Sequence, residues 1–553
     1  VNKYRITVFF NLLLILIQAQ NTKLDWGYST GGDEQDIGSS IALDQSGNVF
    51  VTGKFEDFVD FDPSNQNISY VSKGSSDIFI QKFASNGDLL WAKTIGGLGT
   101  DEPHDLVIDN SGNVIITGYF DLTVDFDPSA SVYNLTTSGS KDIFILKLDP
   151  SGSFIWAEAF GSTSNDAGNA IAIDKSDNIY LTGYFNGTVD FKPGASSLNK
   201  TSKGYADLFV LKFNNSGVFR WVKTTGSEGG DVPRDITIDD FGNIILIGEF
   251  FKTVDFDFGS ATATLTAETW SSVFVLKLDS IGDYVFAKSF NCTDAIYASS
   301  VTTGTDGAIY TTGTFENSAD FNPLESTGSL VSNGRSDVFI CKLDSIGNYN
   351  WAKSFGGTSV EDVQAIALNT NDEIIMTGFF YNTVDFDPSN SVTALTSYAS
   401  SDIYLNKLDT SGQFISATTF GGNSSDHSES IVTDDQNKIY LTGYFRSTAI
   451  KFNTAPDISQ INNNGIDDSF VLKLTDDYNL TSINGELIID LLVYPNPTTK
   501  QVNISSSQSV KRINVYTLRG SLIISNLNSN IIDISKLKPG SYVVKIGFQS
   551  GKW

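Results

Sequence analysis

The sequence contains few of the residues on which catalytic and metal-binding motifs depend. It has two histidines, two cysteines and one methionine among 553 residues. Cys292 and Cys341 do not form a metal-ligand spacing. The short motifs of α/β-hydrolases, zinc proteases and P-loop nucleotide-binding proteins are absent as well. These absences disfavour an enzyme that uses a conventional catalytic motif.

Positive charge is also scarce. The chain has 36 Lys and Arg against 64 Asp and Glu, which gives a formal net charge of −28 and a pI near 4.3. Binding to phosphate backbones or to anionic lipid surfaces requires clustered Lys and Arg. The composition therefore predicts that neither nucleic acid nor an anionic membrane is a partner.

Long apolar segments are missing except near the start of the sequence. An apolar run over residues 6–17 follows Lys3 and Arg5 and precedes the small residue Ala19. This run is too short for a membrane-spanning helix and is typical of a secretory signal peptide, which we place at residues 1–19. No other apolar segment approaches 18 residues, so no membrane span is predicted.

The abundant residues favour β-structure, since aromatic residues make up 12% of the chain and there are 48 glycines. Self-comparison shows a period of 65 residues. The period relates an aromatic column at Trp26, Trp91, Trp156, Trp221, Phe286 and Trp351. It also relates a glycine column at Gly53, Gly118, Gly183, Gly248, Gly313, Gly378 and Gly443. Seven copies with almost no insertion indicate a repeat architecture.

Each repeat contains four candidate strands, which in the second copy are WAKTIG, HDLVID, NVIITGYF and DIFILKLD. The turns between them carry Asp, Asn, Ser and Gly, the residues that favour tight hairpins. Apolar residues occur on both faces of the strands, so both faces should be covered. The sequence predicts an all-β fold, a seven-bladed β-propeller over residues 20–480, with a β-solenoid as the alternative.

The order of the strands predicts how the ring closes. The first repeated element is the strand of Trp26, and the last is the strand that contains Lys473. If the tryptophan strand is the outer strand of the preceding blade, the first such strand has no blade before it. The seventh blade would lack an outer strand. We therefore predict that the N-terminal strand completes the last blade.

Segments such as DNSGNVIITGYF followed by DIFILKLD resemble the bacterial seven-bladed β-propeller repeat family. The resemblance extends over residues 26 to about 480. It implies a propeller fold and an extracytoplasmic setting, and it implies no single activity.

After a linker at residues 481–491, the chain reads LVYPNPTTKQVNIS, INVYTLRGSLI and IDISKLKPGSYVVKI. These segments resemble the C-terminal sorting domain of the type IX secretion system of Bacteroidetes-type bacteria. The resemblance implies a small β-sandwich at residues 492–553 that contacts the secretion machinery. It also implies a protein that is secreted or held at the outer cell surface.

The hexapeptide VDFDPS begins at Val59, Val124 and Val384. Its two aspartates could begin a hard-cation site or an acid/base pair. The second aspartate is replaced by Lys192 in the third copy and by Asn322 in the fifth. The first recurs six times, as Asp60, Asp125, Asp190, Asp255, Asp320 and Asp385. We expect this first aspartate to accept backbone N–H groups and the phenylalanine to fill the seam between blades. No metal site or cofactor is predicted, and Ca²⁺ in some blades stays an alternative.

Two further acidic columns are expected to cap turns. One lies at the start of a hairpin, at Asp44, Asp109, Asp174, Asp239 and Asp434. The other precedes the inner strand, at Asp36, Asp101, Asp166, Asp231, Glu361 and Asp426.

Two adjacent columns vary from repeat to repeat and therefore mark a candidate site. They are expected in the loop that enters each inner strand, at one mouth of the central channel. The first reads Ser39, His104, Asn169, Arg234, Ser299, Gln364 and Glu429; the second reads Ser40, Asp105, Ala170, Asp235, Ser300, Ala365 and Ser430. A ring of different polar side chains could form an asymmetric binding site. Unconstrained variation of the loops is the alternative. The candidate ligand-binding residues are His104, Asp105, Asn169, Arg234, Asp235, Gln364 and Glu429.

The sequence favours a secreted or cell-surface propeller that binds glycan or protein without catalysis. The first alternative is an extracellular enzyme that acts on polysaccharide at the channel mouth. It would need an acid/base set such as Asp101, His104, Asp105 and Asp235, and aromatic platforms that the variable columns lack. The second alternative is a purely structural surface protein.

Overall fold

The computed structural model describes residues 21–62, 68–192, 196–323, 325, 327–452 and 460–477, together with the strands between 492 and 548. Asn21–Asp477 forms one compact unit. The predicted signal peptide at residues 1–19 and linker at residues 481–491 lie outside the described residues.

The described strands of Asn21–Asp477 pair into seven four-stranded antiparallel blades around a central channel. The inner strands are Ile37–Leu43, Glu102–Ile108, Ala167–Ile173, Val232–Ile238, Ile296–Thr303, Glu361–Leu368 and Asp426–Thr433. The second strands are Val49–Phe55, Val114–Phe120, Ile179–Phe185, Ile244–Phe250, Ile309–Phe315, Ile374–Asp385 and Ile439–Phe445.

The third strands are Asp77–Phe83, Asp142–Leu148, Asp207–Phe213, Ser272–Leu278, Asp337–Leu343, Ala394–Leu408 and Asp468–Asp477. The outer strands of blades 1 to 6 are Leu89–Gly97, Phe154–Phe160, Phe219–Thr225, Tyr284–Cys292, Tyr349–Gly357 and Phe414–Gly421. Blade numbers follow the order of the inner strands along the chain.

The N-terminal strand Asn21–Gly32 is the outer strand of blade 7. It pairs with Asp468–Asp477, and Trp26 is opposite Lys473. The predicted closure of the ring is therefore confirmed. This pairing joins residues about 450 positions apart, so blade 7 cannot be complete until both ends of the repeat region have been made.

A short hairpin follows the second strand of most blades. Its strands are Phe58–Asp60 with Ser69–Val71, Thr123–Asp125 with Asn134–Thr136, Thr188–Asp190 with Asn199–Thr201, Thr253–Asp255 with Thr264–Thr266, Ser318–Asp320 with Ser329–Val331, and Ala449–Phe452 with Gln460–Asn462. In blade 6 the corresponding pairs belong to the long strands Ile374–Asp385 and Ala394–Leu408.

The first aspartate of VDFDPS fixes this hairpin through backbone hydrogen bonds, as predicted. Asp125 accepts the N–H groups of Asp127 (3.1 Å) and Tyr133 (2.8 Å). The same pattern recurs at Asp60, Asp190, Asp255 and Asp385. Phe126 is fully buried among side chains of blades 1 and 2, so it fills the seam between them. Pro63 lies outside the described residues.

The hairpin between the inner and second strands is organised by the predicted acidic cap. Asp109 accepts the backbone N–H groups of Ser111 and Asn113, both at 2.9 Å, and Gly112 adopts a φ of 79°. Lys147, from the third strand, lies 2.8 Å from the same carboxylate, and both side chains are almost fully buried. The acidic column therefore serves the turns of the scaffold.

The C-terminal strands form two three-stranded antiparallel sheets, as a small β-sandwich requires. One contains Leu492–Tyr494, Gln501–Ser505 and Ile531–Asp533; the other contains Leu522–Leu527, Val510–Thr517 and Tyr542–Phe548. In the described part of the chain, no helix has the length and apolar character needed to cross a membrane.

Candidate functional site

The seven inner strands surround a cavity of about 860 Å³ in the central channel. All seven candidate residues line this one cavity: His104, Asp105, Asn169, Arg234, Asp235, Gln364 and Glu429. The structure thus brings together residues that are up to 325 positions apart in the sequence. That these residues bind a ligand stays a prediction.

The variable residues lie inside the inner strands, so their predicted location in the preceding loop is wrong. In every blade the pairing with the second strand shifts at the first variable column, for example between Pro103 and Asp105 around His104. Such a β-bulge leaves one residue unpaired and re-aims its side chain. The bulge therefore presents one variable residue per blade to the channel. We call these seven residues the mouth ring: Ser39, His104, Asn169, Arg234, Ser299, Gln364 and Glu429.

Three consecutive members of the mouth ring are held by the protein itself. His104 donates from Nδ1 to the carbonyl oxygen of Gly168 at 2.9 Å, and Asn169 donates from Nδ2 to the carbonyl oxygen of Pro233 at 2.7 Å. Each bond reaches the backbone of the next blade. Burial lowers the pKa of His104, so its imidazole is neutral at pH 7.

Arg234 is the third anchored member. Its Nε atom donates to Glu249 at 2.8 Å, and the other oxygen of Glu249 accepts the backbone N–H of Ala298 at 2.8 Å. Glu249 is buried, whereas the Arg234 side chain is 47% exposed. The guanidinium is therefore oriented by a carboxylate that also links blade 4 to blade 5.

Asp105 and Asp235 accept hydrogen bonds from neighbouring blades. Asp105 accepts the hydroxyl of Ser40 on blade 1 at 2.8 Å and a backbone N–H of blade 3 at 2.9 Å. Asp235 accepts the hydroxyl of Ser300 at 2.7 Å and a backbone N–H of blade 5 at 2.8 Å. Burial raises the pKa of Asp105 to about 7, and the neighbouring Asp235 adds to this effect. Both aspartates line the channel and also connect its walls.

The other four members of the mouth ring form an open arc over blades 5, 6, 7 and 1. Within the described residues, no hydrogen-bond partner is found for the side chains of Ser299, Gln364, Glu429 and Ser39. Each of these side chains is half-buried. Four of the seven residues of the mouth ring thus offer polar groups to a ligand in the channel.

Glu429 has the most perturbed environment in the open arc. Burial and, after it, the neighbouring Asp362 together raise the pKa of its carboxyl to about 8. No Lys or Arg acts on this carboxyl to lower its pKa. Burial also raises the pKa of Asp362, to about 6, although one of its oxygens accepts the backbone N–H of Val363 at 2.8 Å. Two acids therefore lie close together in the channel without a compensating cation.

Aromatic side chains outside the variable columns lie in the cavity wall or next to residues of the channel mouth. Tyr297 lines the cavity and is 51% exposed. Phe379 stacks on His427 with ring centroids 3.8 Å apart, and the hydroxyl of Tyr444 lies 2.7 Å from Nδ1 of His427. Tyr119 contacts the edge of His104, with centroids 5.4 Å apart.

Most of these aromatic residues come from the second strand, which runs antiparallel and ends beside the start of the inner strand. The sequence does contain a signal for them. The residue after each repeated glycine varies in the same manner as the mouth ring: Lys54, Tyr119, Tyr184, Glu249, Thr314, Phe379 and Tyr444.

The alternative acid/base set is not assembled as a free catalytic group. Asp101 accepts the backbone N–H groups of Gly97 (2.7 Å) and Asp121 (3.0 Å), so it acts as a cap. Within the ranges that the structure describes, no group of three or more His, Cys, Asp or Glu side chains is arranged to hold a metal ion. Ca²⁺ in some blades stays an alternative. Cys341 is fully buried in the core, as expected for its column.

Residues 492–553 match the sequence family described as the secretion system C-terminal sorting domain. The C-terminal residues are a type IX sorting domain. The protein is therefore exported by the type IX system to the cell surface or the extracellular space, and its sorting domain contacts the secretion machinery.

The chain is 23% identical to an uncharacterized WD repeat-containing protein of Acanthamoeba polyphaga mimivirus over 592 aligned positions. The alignment covers 92% of this chain and 41% of that relative, so the chain spans less than half of the relative's length.

Among solved structures, the chain is similar to the Pan2 WD40 domain of Neurospora crassa, with a TM-score of 0.38 and 10% identity. This comparison covers 80% of this chain and 97% of that domain. It is also similar to a Dyadobacter fermentans protein of unknown function, with a TM-score of 0.37, 10% identity, and 82% and 100% of the two chains covered. The strand pairing of the chain itself gives an all-β, propeller-like fold, as predicted.

Proposed function

We propose that the protein is a non-catalytic binding module, which holds a glycan or protein ligand at the mouth of its propeller channel. The type IX sorting domain brings the propeller to the cell surface or the medium, where such ligands are available. The proposal builds on the bulge in every inner strand, which presents a different side chain from each blade to one cavity.

The open arc is the observation that carries this proposal. Three of the seven members of the mouth ring already have hydrogen-bond partners in the protein: His104, Asn169 and Arg234. Ser299, Gln364, Glu429 and Ser39 have none among the described residues. Half-buried polar groups that have no protein partner are available to a ligand, which can make hydrogen bonds to them.

A substitution that narrows the channel mouth tests the proposal. In Ser299→Phe a bulky ring replaces a side chain that has no partner, so the propeller should fold normally while the cavity becomes smaller. The matched control is Ser111→Phe in the hairpin at the far end of blade 2. Phe241 occupies the corresponding position of blade 4 and is 71% exposed, so this column tolerates the ring.

Wild type and both variants are applied to a glycan array and to an array of extracellular proteins. We expect wild type and Ser111→Phe to bind the same ligand and Ser299→Phe to lose at least about tenfold in affinity. Equal binding by all three chains to every ligand found, or no ligand for wild type on either array, would contradict the proposal.

A second candidate function, hydrolysis of a polysaccharide, is favoured by one observation. Glu429 and Asp362 are neighbouring carboxyls whose pKa values are about 8 and about 6. A protonated acid next to an ionised one is the arrangement that glycoside hydrolysis uses. Release of reducing ends from bound glycans, abolished in Glu429→Gln, would support this function; binding without any release would exclude it for those glycans.

A further inference from the structure

Glu429 is an acid that the protein leaves uncompensated. It belongs to the bulge of blade 7 and lines the central cavity, and no described side chain or N–H group donates to it. Its nearest charged neighbour is another acid, Asp362 of blade 6. A buried carboxyl without a partner stays protonated at neutral pH, and a cation from outside would stabilise its ionised form.

The charges of the whole cavity have the same sign. The acids that line it are Asp105, Asp235, Glu249, Asp362 and Glu429, and the basic residues are His104 and Arg234. His104 is neutral because burial lowers its pKa, and Arg234 is paired with Glu249. The cavity therefore has no free cation to serve Glu429, and the chain as a whole carries a net charge of −28. This field attracts cations.

Aromatic rings stand beside the two acids. Tyr444, on the strand next to Glu429, lies close enough that Glu429 contributes to its raised pKa, after the effect of burial. Phe379 pairs with Asp362 in the register of blade 6 and stacks on His427. Carboxylates combined with aromatic rings are a recurrent environment for organic ammonium groups.

An organic ammonium fits these groups better than a metal ion. Calcium takes six to eight oxygen ligands, and the described residues include no cluster of three or more His, Cys, Asp or Glu side chains. A primary ammonium has three N–H donors. Glu429, Asp362 and the side-chain oxygen of Gln364 supply three acceptors on blades 6 and 7.

We propose that the Glu429–Asp362 side of the channel mouth binds a primary ammonium group of the ligand, an inference that rests on the proposed function. The group can belong to a lysine side chain of a protein or to an amino sugar of a glycan. Both sources share the same chemistry, and the experiment below separates them.

Binding is measured by calorimetry with the full chain and two matched pairs of probes. The first pair is an end-blocked lysine peptide and its ε-acetylated form. The second pair is a glucosamine oligomer and an N-acetylglucosamine oligomer of equal length. We expect the ammonium form of at least one pair to bind at least about tenfold more tightly than its acetylated form, because acetylation removes the charge.

Glu429→Gln keeps the shape but cannot ionise when an ammonium group binds beside it, so we expect it to lose this preference for the ammonium form. The control Asp283→Asn removes a carboxylate that is 66% exposed in a hairpin at the far end of the propeller. It should bind as the wild type does. Thermal unfolding of both variants verifies that they are folded.

The pair that shows the preference identifies the source of the ammonium group. Equal affinity for both forms of each pair, no binding of any probe, or an unchanged preference in Glu429→Gln would each overturn the inference. If Ser299→Phe still abolishes binding of a ligand found on the arrays, the proposed function survives that result. If Ser299→Phe binds normally, the proposed function fails as well.

Discussion

The seam between blades 4 and 5 is built differently from the other six. In each of the six, the aspartate at the start of a third strand lies near an acid at the start of the next inner strand. Burial raises the pKa of acids in these seams, and the neighbouring carboxyl contributes to the rise. We call these carboxylate seams; their pairs are Asp77 with Asp101, Asp142 with Asp166, Asp207 with Asp231, Asp337 with Glu361, Asp402 with Asp426, and Asp468 with Asp36. Between blades 4 and 5 the two positions hold Ser272 and Ile296, so both acids are lost together.

A third position changes with them. In the carboxylate seams a glycine faces the first aspartate, and a Cβ atom at Gly161 would lie 2.0 Å from Cγ of Asp142. The seam between blades 4 and 5, which we call the neutral seam, has Asn291 at this position. Asn291 and Ser272 are both buried. Among the described seams, a side chain occupies this position only where serine replaces the aspartate. The three positions therefore behave as one structural unit.

The difference shows what the acids do. Asp166 accepts the N–H groups of Ser162 (2.6 Å) and Asn186 (2.7 Å), which belong to two separate connections. In the neutral seam, the N–H of Glu316 donates to the carbonyl oxygen of Ala295 at 2.8 Å instead. Asp166 thus accepts an N–H group whose counterpart in the seam between blades 4 and 5 is accepted by a backbone carbonyl.

The largest effect should come from placing the asparagine of the neutral seam in a carboxylate seam. Gly161→Asn forces its side chain against Asp142, and we expect it to lower the free energy of unfolding by about 3 kcal/mol or more. Calorimetric unfolding measures the loss.

The triple variant Asp142→Ser, Gly161→Asn, Asp166→Ile recreates the neutral seam and should be less destabilised than Gly161→Asn alone. A triple variant that is no more stable than the single one would show that the three positions are not coupled.

Removal of one acid should have the next largest effect. Asp166→Ala leaves two N–H groups without acceptors and should cost about 2 kcal/mol. Asp166→Asn retains one acceptor oxygen and should cost less. The same measurement compares both with Ile296→Val in the neutral seam, which removes one methylene and should cost about 1 kcal/mol. Equal costs for Asp166→Ala and Asp166→Asn would show that the N–H groups do not depend on this side chain.

The pH dependence of stability should follow from the carboxylate seams. Burial raises the pKa of Asp36 to about 8 and that of Asp101 to about 7, above the usual value of 3.8. The folded protein therefore binds more protons than the unfolded chain between pH 5 and 8. Stability should be greatest near pH 5 and should fall as the pH rises to 8.

Melting temperatures at pH 5 and pH 8 test this prediction, and the triple variant should show a smaller decline because it lacks two of the acids. A melting temperature that rises from pH 5 to pH 8 would contradict the prediction.

The smallest effect should follow from restoring the glycine of the repeat in the neutral seam. Asn291→Gly leaves a small cavity beside Ser272 and should cost about 1 kcal/mol. The cavity is small because the asparagine occupies only the space that an aspartate carboxylate takes elsewhere. A loss as large as that of Gly161→Asn would show that Asn291 has a further role.

For the candidate site, the sequence indicated the residues but not which of them form hydrogen bonds within the protein. The variable column pointed to His104 and Glu429 alike, because variation within the repeat marks both. The structure separates them: His104 donates to the backbone of the next blade, whereas Glu429 has no described partner. The variable column lies in a β-bulge of the inner strand, not in the loop where the sequence placed it. Hydrogen bonds between blades join residues about 65 positions apart, so local sequence patterns do not reveal them.

The sequence by itself determined the period, the number of repeats, the closure by the strand of Trp26 and the sorting domain, because each depends on a pattern that is repeated or locally specific. The repeat also shows that Ser272 and Ile296 replace two acids, but not that these two positions meet in one seam. Only the tertiary structure brought those positions together and left Glu429 without a partner among the described residues. Pairing in space depends on how neighbouring blades meet, and a one-dimensional repeat does not contain that geometry.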